Sequence, residues 1–389
     1  MKDDTLLTHA GLDPEANYGI VNPPVYHAST ILFPTLADWM AYSQTRIRYG
    51  RSGTPTSFAL EDAFMALEGG TGALSTPSGL SAITTVLLAC LKAGDHLLMT
   101  DSAYGPTRRL CETMLKRFGV ETEYYDPVIG GGIAALTRPN TAVVYVESPG
   151  SQTFEVQDLP AIAAAAHDAG ATVVADNTWG AGYYCKPLGL GADIVLQAGT
   201  KYIVGHADTN IGLVAWKDSD AHGAIRKEYE HLGMCAGPDD IYLALRGLRT
   251  MGVRLQRHHE NGLRIARWLA GRPEVARVMH PGLEGDPGHA LWKRDFTGAC
   301  GLFGFMLHTA DQTVLAAMLD GLHLYGMGAS WGGYESLLIP TWPNKSRSAT
   351  HWEDKGQTMR IHVGLEDPDD LIADLEAGFE RLGKAGTMP

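Results

Sequence analysis

Ala171-Thr172-Val173-Val174-Ala175-Asp176 is a short apolar run that ends on a carboxylate. Residues 159–169 before it repeat apolar side chains at helical spacing and stop at Gly170, and a second apolar run, 194–197, follows. Runs this short, β-branched and apolar on both faces, read as strands covered on two sides. The same alternation extends outward. Residues 96–101 and 142–147 read as strands, 106–118 as a helix, and 212–216 as a further strand. Strands separated by helices predict an α/β fold with a mostly parallel central sheet and helices on both faces. In such sheets ligands gather at the carboxyl ends of strands, where Asp176 and Lys201 fall.

The flanks divide differently. Residues 1–53 contain Asn22-Pro23-Pro24-Val25 and Phe33-Pro34 and show no long periodic run, which predicts an extended arm. A helix is expected over 58–68, stopped by Gly69-Gly70. Residues 54–245 would form the large domain. Residues 242–269 read as one long helix leading into a smaller α+β domain over 246–389, with strands at 301–307 and 360–363. Gly130-Gly131-Gly132 reads as a flexible loop, and His258-His259-Glu260 as part of a solvated or packed helix face rather than a metal site.

Composition narrows the function classes. With 45% hydrophobic and 19% charged residues, the 389-residue chain is that of a well-buried globular enzyme. A net charge of −13 with no dense Lys/Arg run argues against nucleic acid and against an anionic membrane surface. The N-terminus Met1-Lys2-Asp3-Asp4-Thr5 lacks the apolar core of a secretion signal, and the most apolar stretch, 82–91, is too short to span a bilayer. The five cysteines, Cys90, Cys111, Cys185, Cys235 and Cys300, follow no metal-ligand spacing and read as buried free thiols in a reducing cytoplasm.

The candidate chemistry centres on Ala198-Gly199-Thr200-Lys201-Tyr202. A lysine just past a buried strand can serve as a Schiff-base amine if the site favours its neutral form; on placement alone a structural or surface role stays open. Asp176 strengthens the first reading. Pyridoxal phosphate (PLP) acts as an electron sink while its ring nitrogen is protonated, and a neighbouring carboxylate keeps it so. Ser78-Gly79-Leu80-Ser81 opens a helix near Ala82 and could offer backbone N–H groups to a phosphate, or be a simple cap. Tyr104 follows the 96–101 strand and could stack on a ring or merely pack. Arg360, inside the run Thr358-Met359-Arg360-Ile361-His362-Val363, needs an anion: a substrate α-carboxylate or a structural partner.

Three motifs in register carry a resemblance over most of the chain, from about Thr8 to Leu382. They are Arg48-Tyr49-Gly50-Arg51-Ser52-Gly53-Thr54-Pro55-Thr56, Asp176-Asn177-Thr178, and Gly199-Thr200-Lys201-Tyr202-Ile203-Val204-Gly205-His206. The sequence resembles the Cys/Met-metabolism family of PLP enzymes, the cystathionine lyases and synthases. Glu147-Ser148-Pro149-Gly150-Ser151, Lys293-Arg294-Asp295-Phe296-Thr297-Gly298 and Ser330-Trp331-Gly332-Gly333-Tyr334-Glu335-Ser336 are similar to the bacterial β-lyases; the γ-acting members usually carry Thr-Asn-Pro for Gly150-Ser151 and Leu for Trp331.

The resemblance implies an aspartate-aminotransferase-like fold (fold type I), PLP as cofactor, and carbon–sulfur β-elimination on cystathionine or a related cysteine S-conjugate, in methionine biosynthesis. The alternative is a γ-acting lyase or synthase. It implies Lys201 as Schiff-base lysine and proton carrier, Asp176 at the ring nitrogen, Tyr104 stacked on the ring, and Gly79, Leu80 and Thr200 at the phosphate. Arg360, Ser330 and Trp331 would bind substrate. Tyr49 and Arg51 would reach the phosphate of a neighbouring subunit, Tyr49 also binding substrate and Tyr104 joining Lys201 as a catalytic residue, with a homotetramer as the family expectation. Three positions depart from the usual pattern: Ser52 and Ala329 bear on the substrate's far end, and Ala198 on phosphate contacts.

Overall fold

The computed structural model describes residues 1–217, 223–352 and 356–386. Its first sheet has seven strands: β1 (Gly72–Thr76), β2 (His96–Thr100), β3 (Glu121–Tyr125), β4 (Thr141–Glu147), β5 (Thr172–Asp176), β6 (Ile194–Gln197) and β7 (Gly212–Trp216). They lie in the order β1-β7-β6-β5-β4-β2-β3, and only β7 runs antiparallel to its neighbours. The α/β class with a mostly parallel sheet therefore holds.

Alternation explains the two covered faces. Val144, Val146, Val173 and Ala175 pack with Leu159 and Ile162 in one cluster. Val143, Tyr145, Val174 and Leu196 pack with Ile83, Val86 and Leu87 in another. Each large apolar side chain contributes roughly 1.5–3 kcal/mol on burial, so the strand tips are held from both sides. The tips of β4, β5 and β6 carry Glu147, Asp176 and, after a short loop, Lys201.

A second sheet has five strands: β8 (Val275–Met279), β9 (Leu302–Leu307), β10 (Tyr325–Gly326), β11 (Ser336–Thr341) and β12 (Thr358–His362), in the order β10-β11-β12-β9-β8. Helices Met251–Ala270, Gln312–Leu319 and Pro368–Gly386 pack on it through Ile265, Leu269, Leu315, Met318, Leu375 and Phe379. β12 brings Arg360 to the edge of the first sheet's cavity.

Four expectations change. The arm is not wholly extended, since Asp3–His9 and Leu36–Met40 are helical; the latter is capped by the Thr35 hydroxyl, which accepts from Asp38 N–H. The 242–269 helix is two helices, Pro238–Arg249 and Met251–Ala270. The Arg254 guanidinium takes the Gly247 carbonyl at 2.7 Å and its Nε donates to the Thr250 hydroxyl, which breaks the ladder at Thr250. The triple glycine is ordered into a 3₁₀ turn, Gly130–Leu136. Cys235 is exposed, whereas Cys111, Cys185 and Cys300 are buried and all five are free. His258 is packed, with Nδ1 2.8 Å from the Val363 carbonyl. Among the described residues no helix is long and apolar enough to cross a membrane.

Candidate active site

A cavity of about 210 Å³ lies between the tips of the first sheet and the β12 edge of the second. Lys201, Asp176, Tyr104, Gly79, Leu80, Thr200, Trp331 and Arg360 all line it. These come from stretches far apart in the chain, and the topology rather than local sequence unites them.

Lys201 sits in the turn after β6, where its N–H donates to the Ala198 carbonyl at 3.0 Å. Its Nζ donates to Ser330 Oγ at 2.7 Å and lies 5.3 Å from the Trp331 ring centroid. Burial, helped by the Arg360 charge, lowers its pKa to about 8. Much more of the amine is therefore neutral near pH 7 than for a free lysine. Gly332 allows this approach. It adopts φ +85°, and a Cβ there would come within 2.9 Å of the Lys201 backbone and Cβ.

Asp176 closes β5. The Thr178 N–H donates to its Oδ1 at 2.9 Å, the Thr178 hydroxyl donates to the same oxygen, and Tyr145 donates to Oδ2 at 3.3 Å. Burial pushes its carboxyl up, and the Thr178 and Tyr145 hydrogen bonds oppose it. The Thr178 hydroxyl also accepts from Ala198 N–H at 3.0 Å, tying the Asp176 tip to the Lys201 turn.

The helix opened by Ser78 begins at Gly79, three residues earlier than expected, with a Ser78/Ser81 capping box. The Gly79 and Leu80 N–H groups are at its first two positions, outside the helix's own ladder. A Cβ on Gly79 would meet the Ala198 Cβ at 2.6 Å, so glycine is required where the helix start meets the lysine turn. The Thr200 hydroxyl is engaged by Ile211, accepting from its N–H at 2.9 Å and donating to its carbonyl at 3.1 Å.

Arg360 donates to the carbonyls of Ser330 at 3.1 Å and Gly328 at 3.4 Å. Among the described residues no carboxylate pairs with it. Burial lowers its pKa, the mark of a cation poorly compensated by its own chain. Tyr49 and Arg51 lie elsewhere. Tyr49 is exposed, and Arg51 lines a separate cavity with Tyr26 and Arg226 and donates to the Glu230 carbonyl at 3.2 Å.

Two groups at the cavity escaped the residue-level reading as site groups. Glu147, at the tip of β4, accepts from Tyr104 N–H at 2.7 Å. Thr178 bridges as described. The rule that ligands gather at strand ends, applied to 142–147 as to 171–176, would have flagged Glu147.

The donor set fits PLP. A partly neutral lysine amine suits the aldehyde, a desolvated carboxylate suits the ring nitrogen, and free N–H groups at a helix start suit the phosphate. Arg360, with no carboxylate partner among the described residues, completes the lining.

Comparison with known proteins agrees. A relative from Rhizobium johnstonii is 50% identical over 97% of this chain and 95% of its own. The Escherichia coli K12 protein named cystathionine β-lyase MetC is 44% identical over 98% of this chain and 99% of its own. Among solved structures, the cystathionine γ-synthase of Xanthomonas oryzae superposes with a TM-score of 0.91 at 33% identity, covering 99% of both chains. The family model described as Cys/Met metabolism PLP-dependent enzyme matches residues 4–380. The chain belongs to the Cys/Met-metabolism family of PLP-dependent enzymes.

Proposed function

We propose that this enzyme is a carbon–sulfur lyase that splits L-cystathionine by α,β-elimination into L-homocysteine, pyruvate and ammonia, a step toward methionine. The observation that carries the reading is Lys201, lowered toward neutrality, sharing one cavity with a carboxylate-free Arg360 and the Trp331 wall. PLP, when bound, supplies the electron sink for the pair left at Cα. Lys201 would hold its aldehyde, and the Lys201 amine, near neutrality, would take the Cα proton. Asp176 would keep the ring nitrogen protonated, and Gly79, Leu80 and Thr200 would hold the phosphate. Arg360 grips the α-carboxylate and fixes the Cα–H bond toward Lys201. As the Cβ–S bond breaks, Lys201 returns the proton to sulfur. The three-carbon fragment takes up water and leaves as pyruvate and ammonia.

Gly150, Ser151 and Trp331 line the cavity together, which supports β- over γ-elimination. Tyr49 and Arg51, turned away from this chain's cavity, support a site shared between subunits in a homotetramer. All strands of the first sheet fall within 72–216 and all of the second within 275–362, which supports an arm of 1–53, a large domain of 54–245 and a small domain of 246–389. The free thiols fit a cytoplasmic location. The assay is keto-acid identification from L-cystathionine. Pyruvate is expected; 2-oxobutyrate would overturn the reading in favour of γ-elimination.

A further inference from the structure

Glu147 ends β4 as Asp176 ends β5, and the two are register partners on adjacent parallel strands. Both line the cavity floor. Two half-buried carboxyls on neighbouring strand tips oppose each other's ionisation. Hydrogen bonding decides which one holds the proton. Asp176 accepts from Thr178 N–H, the Thr178 hydroxyl and Tyr145. Among the described residues the Glu147 carboxyl accepts from Tyr104 N–H alone. Among the described residues no cation pairs with either one. We propose that Glu147 is a positioning residue that stands as a neutral carboxylic acid, seating Tyr104 through its backbone N–H and leaving Asp176 as the single negative charge offered to the cofactor.

The surrounding groups agree. Burial pushes Glu147 well above the usual carboxylate range, the Asp176 charge adds to it, and the Tyr104 N–H opposes. Tyr145 is raised by burial, then by the Asp176 charge, so it stays a hydroxyl donor. Tyr104 is raised by burial, with Arg360 opposing. Arg360 stands on the opposite wall of the cavity, and Lys201 follows the neighbouring β6 tip.

The inference rests on the reading that PLP binds against Tyr104, Asp176 and Lys201. The test compares wild type, Glu147→Gln and Glu147→Ala for PLP dissociation constant and for the pH midpoint of the bound cofactor's visible absorbance. Glu147→Ala, which unseats Tyr104, should weaken PLP about tenfold. Glu147→Gln keeps an acceptor and adds no charge, so it should restore affinity to within about threefold and hold the midpoint within about half a unit. A midpoint lowered by about a unit or more in Glu147→Gln would mean that a charge had been removed, and would overturn the proposal. So would wild-type PLP affinity in Glu147→Ala. If Glu147→Ala does not fold, the Glu147→Gln midpoint decides alone. Failure of the underlying reading looks different: wild type would not develop the lysine-bound PLP absorbance, or Lys201→Ala would keep it.

Discussion

The two walls of the cavity are built on opposite plans. On the first sheet's side, Thr178 and Tyr145 donate to Asp176, the Lys201 turn donates to Thr178 through Ala198 N–H, and Tyr104 N–H donates to Glu147, all before any ligand arrives. On the second sheet's side, Arg360 rests on two backbone carbonyls and has no carboxylate among the described residues. Desolvating an uncompensated cation is costly, and a bound carboxylate relieves that cost. The first wall is therefore preorganised for a resident group, and the second is completed by what passes through.

Replacing Lys201 strikes the first wall hardest. Lys201→Ala should lower kcat on the order of 10²–10⁴-fold, the range expected for loss of a proton carrier, and abolish the visible absorbance of lysine-bound PLP. Absorbance spectra and pyruvate release check both. Arg360→Ala strikes the second wall. It should cost about 10²-fold in kcat/KM, the worth of a charge-assisted pair of hydrogen bonds, with PLP affinity unchanged. If PLP affinity fell as far as kcat/KM, the division between the walls would be wrong.

A smaller effect is expected where the walls are joined. Asp101, buried just past β2, accepts from the backbone N–H groups of Ser348 at 2.9 Å, Ala349 at 3.0 Å and Thr350 at 2.8 Å. Arg108 also donates to it at 3.0 Å. Asp101→Ala takes from buried Arg108 its nearer ion-pair partner, leaving Glu112 at 3.8 Å, and releases segment 348–350, a loss of about 3 kcal/mol in stability. In the protein that remains folded, KM should rise about tenfold, with the absorbance of bound PLP unaltered. Unfolding curves and steady-state kinetics separate the two effects.

The legible and illegible parts follow the same physics. β5 and β6 could be read directly because both faces are buried and leave uninterrupted apolar runs. Arg360 stood out as a charge inside such a run. β3, Glu121–Tyr125, and β8, Val275–Met279, were missed because they are edge strands whose exposed faces carry polar residues such as Glu121 and Arg277. β1, Gly72–Thr76, was hidden behind the Gly-rich turn before it. The break at Thr250 was invisible because a guanidinium in the next helix competes for the Gly247 carbonyl. Asp101 shows the limit most plainly, since its partners lie nearly 250 positions away and no local pattern marks them.

Glu68 offers the finest probe of the first wall, because it braces that wall from behind. It closes the helix Pro55–Glu68, is 1% exposed, and accepts from Asn177 Nδ2 at 3.1 Å and from Gln197 Nε2. Those two residues follow Asp176 and precede Ala198, so Glu68 links the tips of β5 and β6. Burial raises its pKa from 4.5 to about 7, against the hydrogen bonds from Asn177 and Gln197 and the Lys186 charge. Between these values the native state holds a proton that the unfolded chain has lost. Stability from this group is therefore full below pH 4.5 and falls as pH rises toward 7. The loss is at most ~3 kcal/mol. Glu68→Gln cannot titrate, so its unfolding midpoint should fall less than that of wild type between pH 5 and 8. Parallel curves for the two proteins would mean that Glu68 is already ionised in the native state. In that case the first wall would hold a second buried charge behind Asp176, and its difference from the Arg360 side would be smaller than the hydrogen bonding indicates.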